Sequence, residues 1–239
     1  MPIALDDTTH LLVLTGAGIS AESGVPTFRD ANGLWNTHRF EDLASPAGFA
    51  ADPQLVWQFY AQRRRGLDDV QPNAAHRALV DVERRLGERF LLVTQNVDGL
   101  HAAAGSQRMV EMHGNIMQTK CSRCARPPFA DTASHDTALP TCDACGALLR
   151  PDIVWFGEAI PTAALAAIEQ FVNARAGRRF VFLAVGTSGL VYPAAGLVDV
   201  ARRVGGERWL VNAERPANVS AFDHVEIGRA GTILPALFT

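Results

Sequence analysis

The 239-residue chain has no apolar run of membrane-spanning length, which excludes a transmembrane helix read from hydropathy. It also has little net charge. Against 25 Asp and Glu stand 22 Lys and Arg, a formal charge of -3, so no basic field exists for nonspecific nucleic-acid binding. The N-terminus, Met1-Pro2-Ile3-Ala4-Leu5-Asp6-Asp7, lacks the basic region and apolar core of a secretory signal, and a cytoplasmic location is the expectation. Cysteine is scarce. The four residues all lie between Cys121 and Cys145, which argues against disulfides scattered through a secreted fold. No internal repeat or low-complexity tract is visible. The 48% hydrophobic and 20% charged content is that of a globular protein, either one large domain or one domain carrying an inserted smaller one.

What is present is organised around Thr15 to Asp30. The stretch follows the apolar run Leu11-Leu12-Val13-Leu14, which reads as a buried strand. Gly16 and Gly18 let the backbone turn sharply and approach a ligand, and a helix is expected to start near Ser20. Its free N–H groups and dipole would face a pyrophosphate, as in a dinucleotide cradle. A dehydrogenase would continue into a second strand ending in an acidic residue that holds the ribose. This chain instead enters Pro26-Thr27-Phe28-Arg29-Asp30 and Asn32-Gly33-Leu34-Trp35, a polar, turn-rich loop that reads as a flap. The dinucleotide therefore competes as a substrate with the dinucleotide as a redox carrier.

Further along, Pro53 to Gly66 reads as a helix with proline at its start and arginines near its end. Asn73 to Leu86 reads as an amphipathic helix stopped by Gly87. Strands are expected at Phe90–Thr94, Met109–Met112, Phe180–Val185 and Trp209–Val211, with a last short strand and helix between Val225 and Leu237. Helices are expected at about Thr162–Ala176 and Ala194–Val204. Apolar strands alternating with helices imply an α/β fold, a doubly wound parallel sheet covered on both faces. Polar clusters follow the strands: Gly16–Ser20, Gln95–Asp98, His113, Gly186–Ser188 and Asn212–Glu214. Ligands of such sheets collect at those carboxyl ends.

Cys121-x-x-Cys124 and Cys142-x-x-Cys145 are separated by 17 residues, the spacing of two zinc knuckles. Four thiolates complete a tetrahedron and leave no open position, so a structural Zn2+ is expected; a redox dithiol and unpaired buried cysteines are the alternatives.

These residues resemble the sirtuin family of NAD-dependent protein-lysine deacylases. The resemblance is carried by Gly16-Ala17-Gly18-Ile19-Ser20, Phe28-Arg29, Thr94-Gln95-Asn96-Val97-Asp98-Gly99-Leu100-His101, His113-Gly114, both cysteine pairs, Phe156-Gly157-Glu158, Gly186-Thr187-Ser188 and Asn212-x-Glu214. It covers nearly the whole chain in the family's order. It implies a Rossmann-like NAD-binding domain (residues 1–36, 76–116 and 152–239) and a smaller inserted lobe, helical at 37–75 and zinc-binding at 117–151. NAD would be consumed to give nicotinamide and O-acyl-ADP-ribose. Asn96 and Asp98 would line the nicotinamide and ribose region, with Asp98 able to hold the carboxamide, and His113 would accept a ribose hydroxyl proton. Gly186, Thr187 and Ser188 would bind phosphate or ribose oxygens, and Asn212 and Glu214 the adenosine ribose. Gln95, Thr27, Phe28, Arg29, Trp35 and Ala230 also fall to the cofactor under this resemblance. Val154, Phe156 and Gly157, with Gly189 and Val191, resemble the two segments that sandwich an extended acylated-lysine peptide as an added strand.

Tyr60-Ala61-Gln62-Arg63 resembles the Tyr-x-x-Arg signature of the branch that removes succinyl and malonyl groups. Residues at i and i+3 share a helical face, so a phenol and a guanidinium can clamp a distal carboxylate. Ala44 resembles the small residue that leaves room for the longer chain. The other reading of this segment is a core tyrosine beside a solvated Arg63-Arg64-Arg65 run. The expected protein is thus a monomer acting on acylated lysine, without nucleic acid or membrane. A plain deacetylase, an ADP-ribosyltransferase, a zinc-ribbon module that senses NAD without turnover, and a dehydrogenase stand as its rivals.

Overall fold

The computed structural model describes residues 2–27, 40–187 and 193–239. In chain order the strands are β1 (Thr9–Thr15), β2 (Phe90–Thr94), β3 (Met109–Glu111), β4 (Gly114–Cys121), β5 (Phe129–Ala130), β6 (Leu149–Ile153), β7 (Arg179–Val185), β8 (Glu207–Asn212) and β9 (His224–Ile227). The helices are α1 (Phe40–Leu43), α2 (Pro46–Ala51), α3 (Pro53–Arg65), α4 (Ala74–Leu86), α5 (Leu100–Ala104), α6 (Thr162–Asn173), α7 (Leu197–Arg203) and α8 (Ala230–Leu237). No helix among the described residues is long and apolar enough to cross a membrane.

Six strands form one sheet in the order β3-β2-β1-β7-β8-β9, and every pairing is parallel. The apolar runs explain this. Successive residues of a strand point to opposite faces, so a strand covered on both sides needs apolar residues throughout. Leu11 and Val13 of β1 pack with Ala75 and Leu79 of α4 and Leu234 of α8. Leu12 and Leu14 enter the opposite layer, with Phe171 of α6 and Leu197 of α7. The chain leaves β1 toward β2 on one side and returns through β7 on the other. The crevice at the carboxyl end of β1 is therefore the topological switch point where such sheets bind ligands.

A second sheet, β5-β4-β6, is antiparallel. It was not legible as strands in the sequence, because a register shift between Asn115 and Thr119 breaks the period-two pattern of β4. β4 and β6 run across residues 116–117 and 151–152, where the sequence placed the edges of the zinc-binding insertion. A cluster of Phe49, Val56, Trp57, Tyr60, Ile116, Ile153 and Trp155 joins α2 and α3 to this sheet.

Two local expectations need correction. No α-helix starts near Ser20; Ala17–Ile19 and Ala21–Ser23 are separate 3-10 turns. The Asn73 side chain takes the Ile19 carbonyl and the Ser23 hydroxyl, and Gly24, at φ 90°, ends the second turn. The helix dipole expected there is accordingly absent. The helix expected at Ala194–Val204 begins as a 3-10 turn, Ala194–Gly196, before α7.

Candidate active site

A cavity of about 1100 Å³ opens at the carboxyl ends of the parallel strands and extends to α3. Its wall includes Gly16, Ala17, Gly18 and Thr27 after β1, Gln95, Asn96 and Asp98 after β2, His113 after β3, Gly186 and Thr187 after β7, and Asn212 and Glu214 after β8. Ala44, Tyr60, Arg63, Val154 and Phe156 line the same space. A smaller recess of about 280 Å³ is lined by Gly18, Glu22, Asn212, Arg229 and Ala230. All five polar clusters singled out in the sequence thus reach one crevice. The predicted residues Phe28, Arg29, Trp35, Ser188, Gly189 and Val191 lie outside the described residues.

The glycines act on the protein before they act on any ligand. A Cβ on Gly18 would stand 2.7 Å from the Gly186 Cα, and one on Gly186 would stand 2.4 Å from the Ile19 nitrogen. Two strand ends therefore press backbone against backbone, and the Gly18 N–H donates to the Gly186 carbonyl at 2.9 Å.

The polar side chains are held in defined roles. The Asn96 amide donates to the Gly16 carbonyl at 3.2 Å and to the Ser20 hydroxyl at 3.1 Å, which commits both its hydrogens and leaves Oδ1 as an acceptor. Ser20 Oγ donates to Asp98 Oδ2 at 2.7 Å, while Asp98 Oδ1 accepts the Leu100 N–H at 3.0 Å. Ser20 is fully buried; it orients Asn96 and Asp98 from behind the wall rather than lining the cavity. Gln95 Nε2 donates to Thr187 Oγ1 at 3.0 Å, tying the ends of β2 and β7 together.

His113 lines the same cavity. Its Nδ1 lies 3.0 Å from the Gln95 carbonyl, which can only accept, so Nδ1 carries the proton and Nε2 keeps its lone pair. Burial holds the imidazole below its ordinary value of 6.5, against the opposing pull of that carbonyl. At neutral pH the ring is neutral and able to accept a proton.

At the far end, Tyr60 and Arg63 enter from α3. Asp52 caps this helix through the Leu55 N–H, and Pro53 occupies its first turn. Burial pushes the Tyr60 phenol up and the Arg63 guanidinium down, and each is partly offset by the other. The arginine run divides three ways. Arg63 faces the cavity, Arg65 pairs with Asp136 at 2.7 Å on the surface, and Arg64 is buried. Arg64 donates to the Ile116, Ala133 and Gln118 carbonyls and to Thr119 Oγ1, which fastens α3 to the antiparallel sheet. A wholly solvated run is therefore ruled out.

Ala44 offers its carbonyl to the Phe156 N–H at 2.9 Å, and Val154 N–H donates to the His113 carbonyl at 2.9 Å. Phe156 is 52% exposed at the mouth. Gly157, at φ 86°, turns the loop just outside the cavity wall. Sequence reasoning missed Val25, Val97, Trp155 and Ile160, which also line the cavity. These are apolar residues whose only signal was proximity to the motifs.

The four cysteine sulfurs lie within 4.8 Å of one another. Cys121 and Cys145 are 3.5 Å apart at Sγ, and Cys124 and Cys142 are 3.8 Å apart. These separations exceed any disulfide and match the edge of about 3.8 Å that a tetrahedron with Zn–S bonds of about 2.3 Å requires. Cys121 Sγ also accepts the Arg123 and Cys124 N–H groups at 3.3 Å, as a thiolate ligand in a tight turn does. The donor set fits a structural zinc.

Residues 16–193 match the sequence profile of the Sir2 family. An "NAD-dependent protein deacylase" of Thermococcus kodakarensis is 46% identical over 95% of this chain and 88% of its own length. One of Rhodopirellula baltica, under the same name, is 47% identical over 95% of this chain and 97% of its own. Among solved structures, a Sir2 homolog–NAD complex superposes with a TM-score of 0.86 at 40% identity, covering 95% of this chain and 87% of that one. A Sir2 variant holding deacetylated p53 peptide and 3′-O-acetyl ADP ribose gives a TM-score of 0.80 at 28% identity, covering 94% and 90%.

Proposed function

This chain belongs to the Sir2 family, and from that premise we propose that it is an NAD-dependent protein-lysine deacylase directed at acidic acyl groups. Succinyl- and malonyl-lysine are its preferred substrates, acetyl-lysine is also turned over, and the products are nicotinamide and O-acyl-ADP-ribose. The relatives named NAD-dependent protein deacylase support the activity. The acyl preference rests on one observation: Tyr60 and Arg63 line the same cavity as His113 and Asn96. A dehydrogenase has no use for that pair.

NAD supplies the electrophile, a ribose carbon bearing a cationic leaving group. The chain supplies position and proton movement. Thr187, Asn212 and Glu214 hold the nucleotide along the strand ends, and Ala230 flanks the adenine end in the smaller recess. Asp98 holds the carboxamide, and Asn96 presents Oδ1 to the ribose. His113 Nε2 takes a proton from a ribose hydroxyl, the task for which a neutral imidazole with Nδ1 fixed on a carbonyl is suited. An amide oxygen is a weak nucleophile, so the lysine chain must be held in line and shielded from water. The apolar walls of Val97, Ile153 and Trp155 serve that purpose. Phe156 and Gly157 border the peptide, which adds as an extended strand and carries little sequence selectivity.

The test compares nicotinamide release from acetyl-, succinyl- and malonyl-lysine peptides of one sequence. A higher kcat/KM for the two acidic acyl groups is expected. Equal or lower values for them would reduce the protein to a plain deacetylase.

A further inference from the structure

Trp155 is 2% exposed, and its indole Nε1 donates to the Tyr60 hydroxyl oxygen at 2.9 Å. An indole nitrogen has a hydrogen and no acceptor capacity, so the phenol oxygen must be the acceptor of that bond. The phenol then has one hydrogen left to give. Arg63 beside it can only donate. We propose that Trp155 is a positioning residue for acyl selectivity: its N–H fixes Tyr60 as a hydrogen-bond donor toward the distal carboxylate of the acyl chain. This rests on the assignment of Tyr60 and Arg63 to the acyl group.

The chemistry gives the bond its meaning. An unrestrained phenol can either donate or accept, and so tolerates neutral acyl groups that carry a terminal amide or hydroxyl. With its oxygen occupied by the indole, it offers a hydrogen only. The end of the cavity then presents donors from two side chains; a carboxylate offers an acceptor oxygen to each, whereas a terminal amide offers one oxygen and turns an NH2 donor toward the other.

The indole is itself held on several sides. Its own backbone N–H donates to Glu158 Oε2 at 2.9 Å. The Arg150 guanidinium stands 3.4 Å from the indole ring centroid and grips both oxygens of Glu158, at 2.6 and 2.9 Å. Arg150 also donates to the Ile153 carbonyl at 2.7 Å. Rotating the indole away from Tyr60 would disturb this whole arrangement. Phe156 and Glu158 of the same loop line the cavity, so the loop that borders the peptide also sets the phenol's polarity.

The experiment measures kcat and KM of wild type, Trp155→Phe, Tyr60→Phe and the double variant with succinyl-, succinamyl- and acetyl-lysine peptides. Trp155→Phe keeps an aromatic ring over Arg150 and removes the N–H. We expect its succinyl-to-succinamyl kcat/KM ratio to fall roughly three- to tenfold, carried by KM. In the Tyr60→Phe background the same change should leave that ratio within about twofold, since nothing remains to orient. An unchanged ratio in Trp155→Phe, or an equal fall in both backgrounds, would overturn the proposal. Should Trp155→Phe fold poorly, the indole N–H proton signal of the folded protein replaces it. It should move upfield in Tyr60→Phe, and a signal that does not move would overturn the proposal. Failure of the underlying assignment looks different, because Arg63→Met would then lower succinyl and acetyl turnover alike.

Discussion

At the nucleotide end of the cavity the polar groups are committed before any ligand arrives. Asn96 has spent both amide hydrogens, Asp98 is held by Ser20 and a backbone N–H, and His113 has its tautomer set by the Gln95 carbonyl. All of these groups stand on loops that follow strands of one parallel sheet. At the end proposed to take the acyl group stand two side chains of α3, a helix packed on the antiparallel sheet. Their settings come from side-chain partners: Trp155 for Tyr60, and Phe59, whose ring centroid lies 5.5 Å from the Arg63 guanidinium. Under the proposed function the first set serves one reaction, and the second a choice among substrates. A change at the first should stop turnover of every acyl group, whereas a change at the second should reorder them.

The largest expected effect is at the nucleotide end. His113→Ala should lower acyl-lysine turnover by about 10² to 10⁴, for succinyl and acetyl peptides alike, because a general base contributes that much. Selective loss for one acyl group would erase the distinction between the two ends. Next comes the metal. Stripping zinc with a chelator should unfold the antiparallel sheet around Cys121 and Cys142, which are buried with Leu149, and activity should fall with it. Circular dichroism and an activity assay on the same sample check this; retained structure after metal loss would make the four thiols a redox or passive cluster.

Arg63→Met should then cost about ten- to hundredfold in desuccinylation kcat/KM, the range of a hydrogen bond to a charged group, and much less in deacetylation. Equal losses would remove the carboxylate clamp. The smallest effects are in pH dependence. Because burial lowers the His113 pKa, its neutral form persists into mild acid, and the acid limb of kcat/KM should lie below 6.5. Stability should respond over a related window. Burial lowers His76 to about 4 and His101 to about 3. The unfolded chain takes up these protons first, so stability is full above 6.5 and declines as pH falls toward those values, by about 3 kcal/mol per histidine at pH 4. Denaturant titrations between pH 7 and pH 4 measure it, and His76→Asn or His101→Asn should flatten the slope.

The sequence was most readable where one physical demand acts alone. β1, β2, β7 and β8 are buried on both faces, so continuous apolar runs mark them. The strand ends were equally plain, since Gly18 and Gly186 tolerate no Cβ against each other. Readability failed where tertiary partners decide. The turn after β1 reads locally as a helix start, yet Asn73, 54 positions from Ile19, captures that carbonyl instead. β4 carries a register shift, and its buried residues Ile116, Thr119 and Cys121 follow no simple alternation. Arg64 is indistinguishable from Arg65 in the sequence, but the next step around α3 turns it into the protein rather than into water. Trp155 gave no signal beyond its place next to Phe156-Gly157-Glu158, because its partner Tyr60 is 95 residues away.

The most direct measurement is mass analysis of the products formed from NAD and a succinyl-lysine peptide. The account predicts one nicotinamide, one free-lysine peptide and one O-succinyl-ADP-ribose per turnover, with all three lost in His113→Ala. Nicotinamide released with the succinyl group still on lysine, or an ADP-ribosylated peptide, would contradict it.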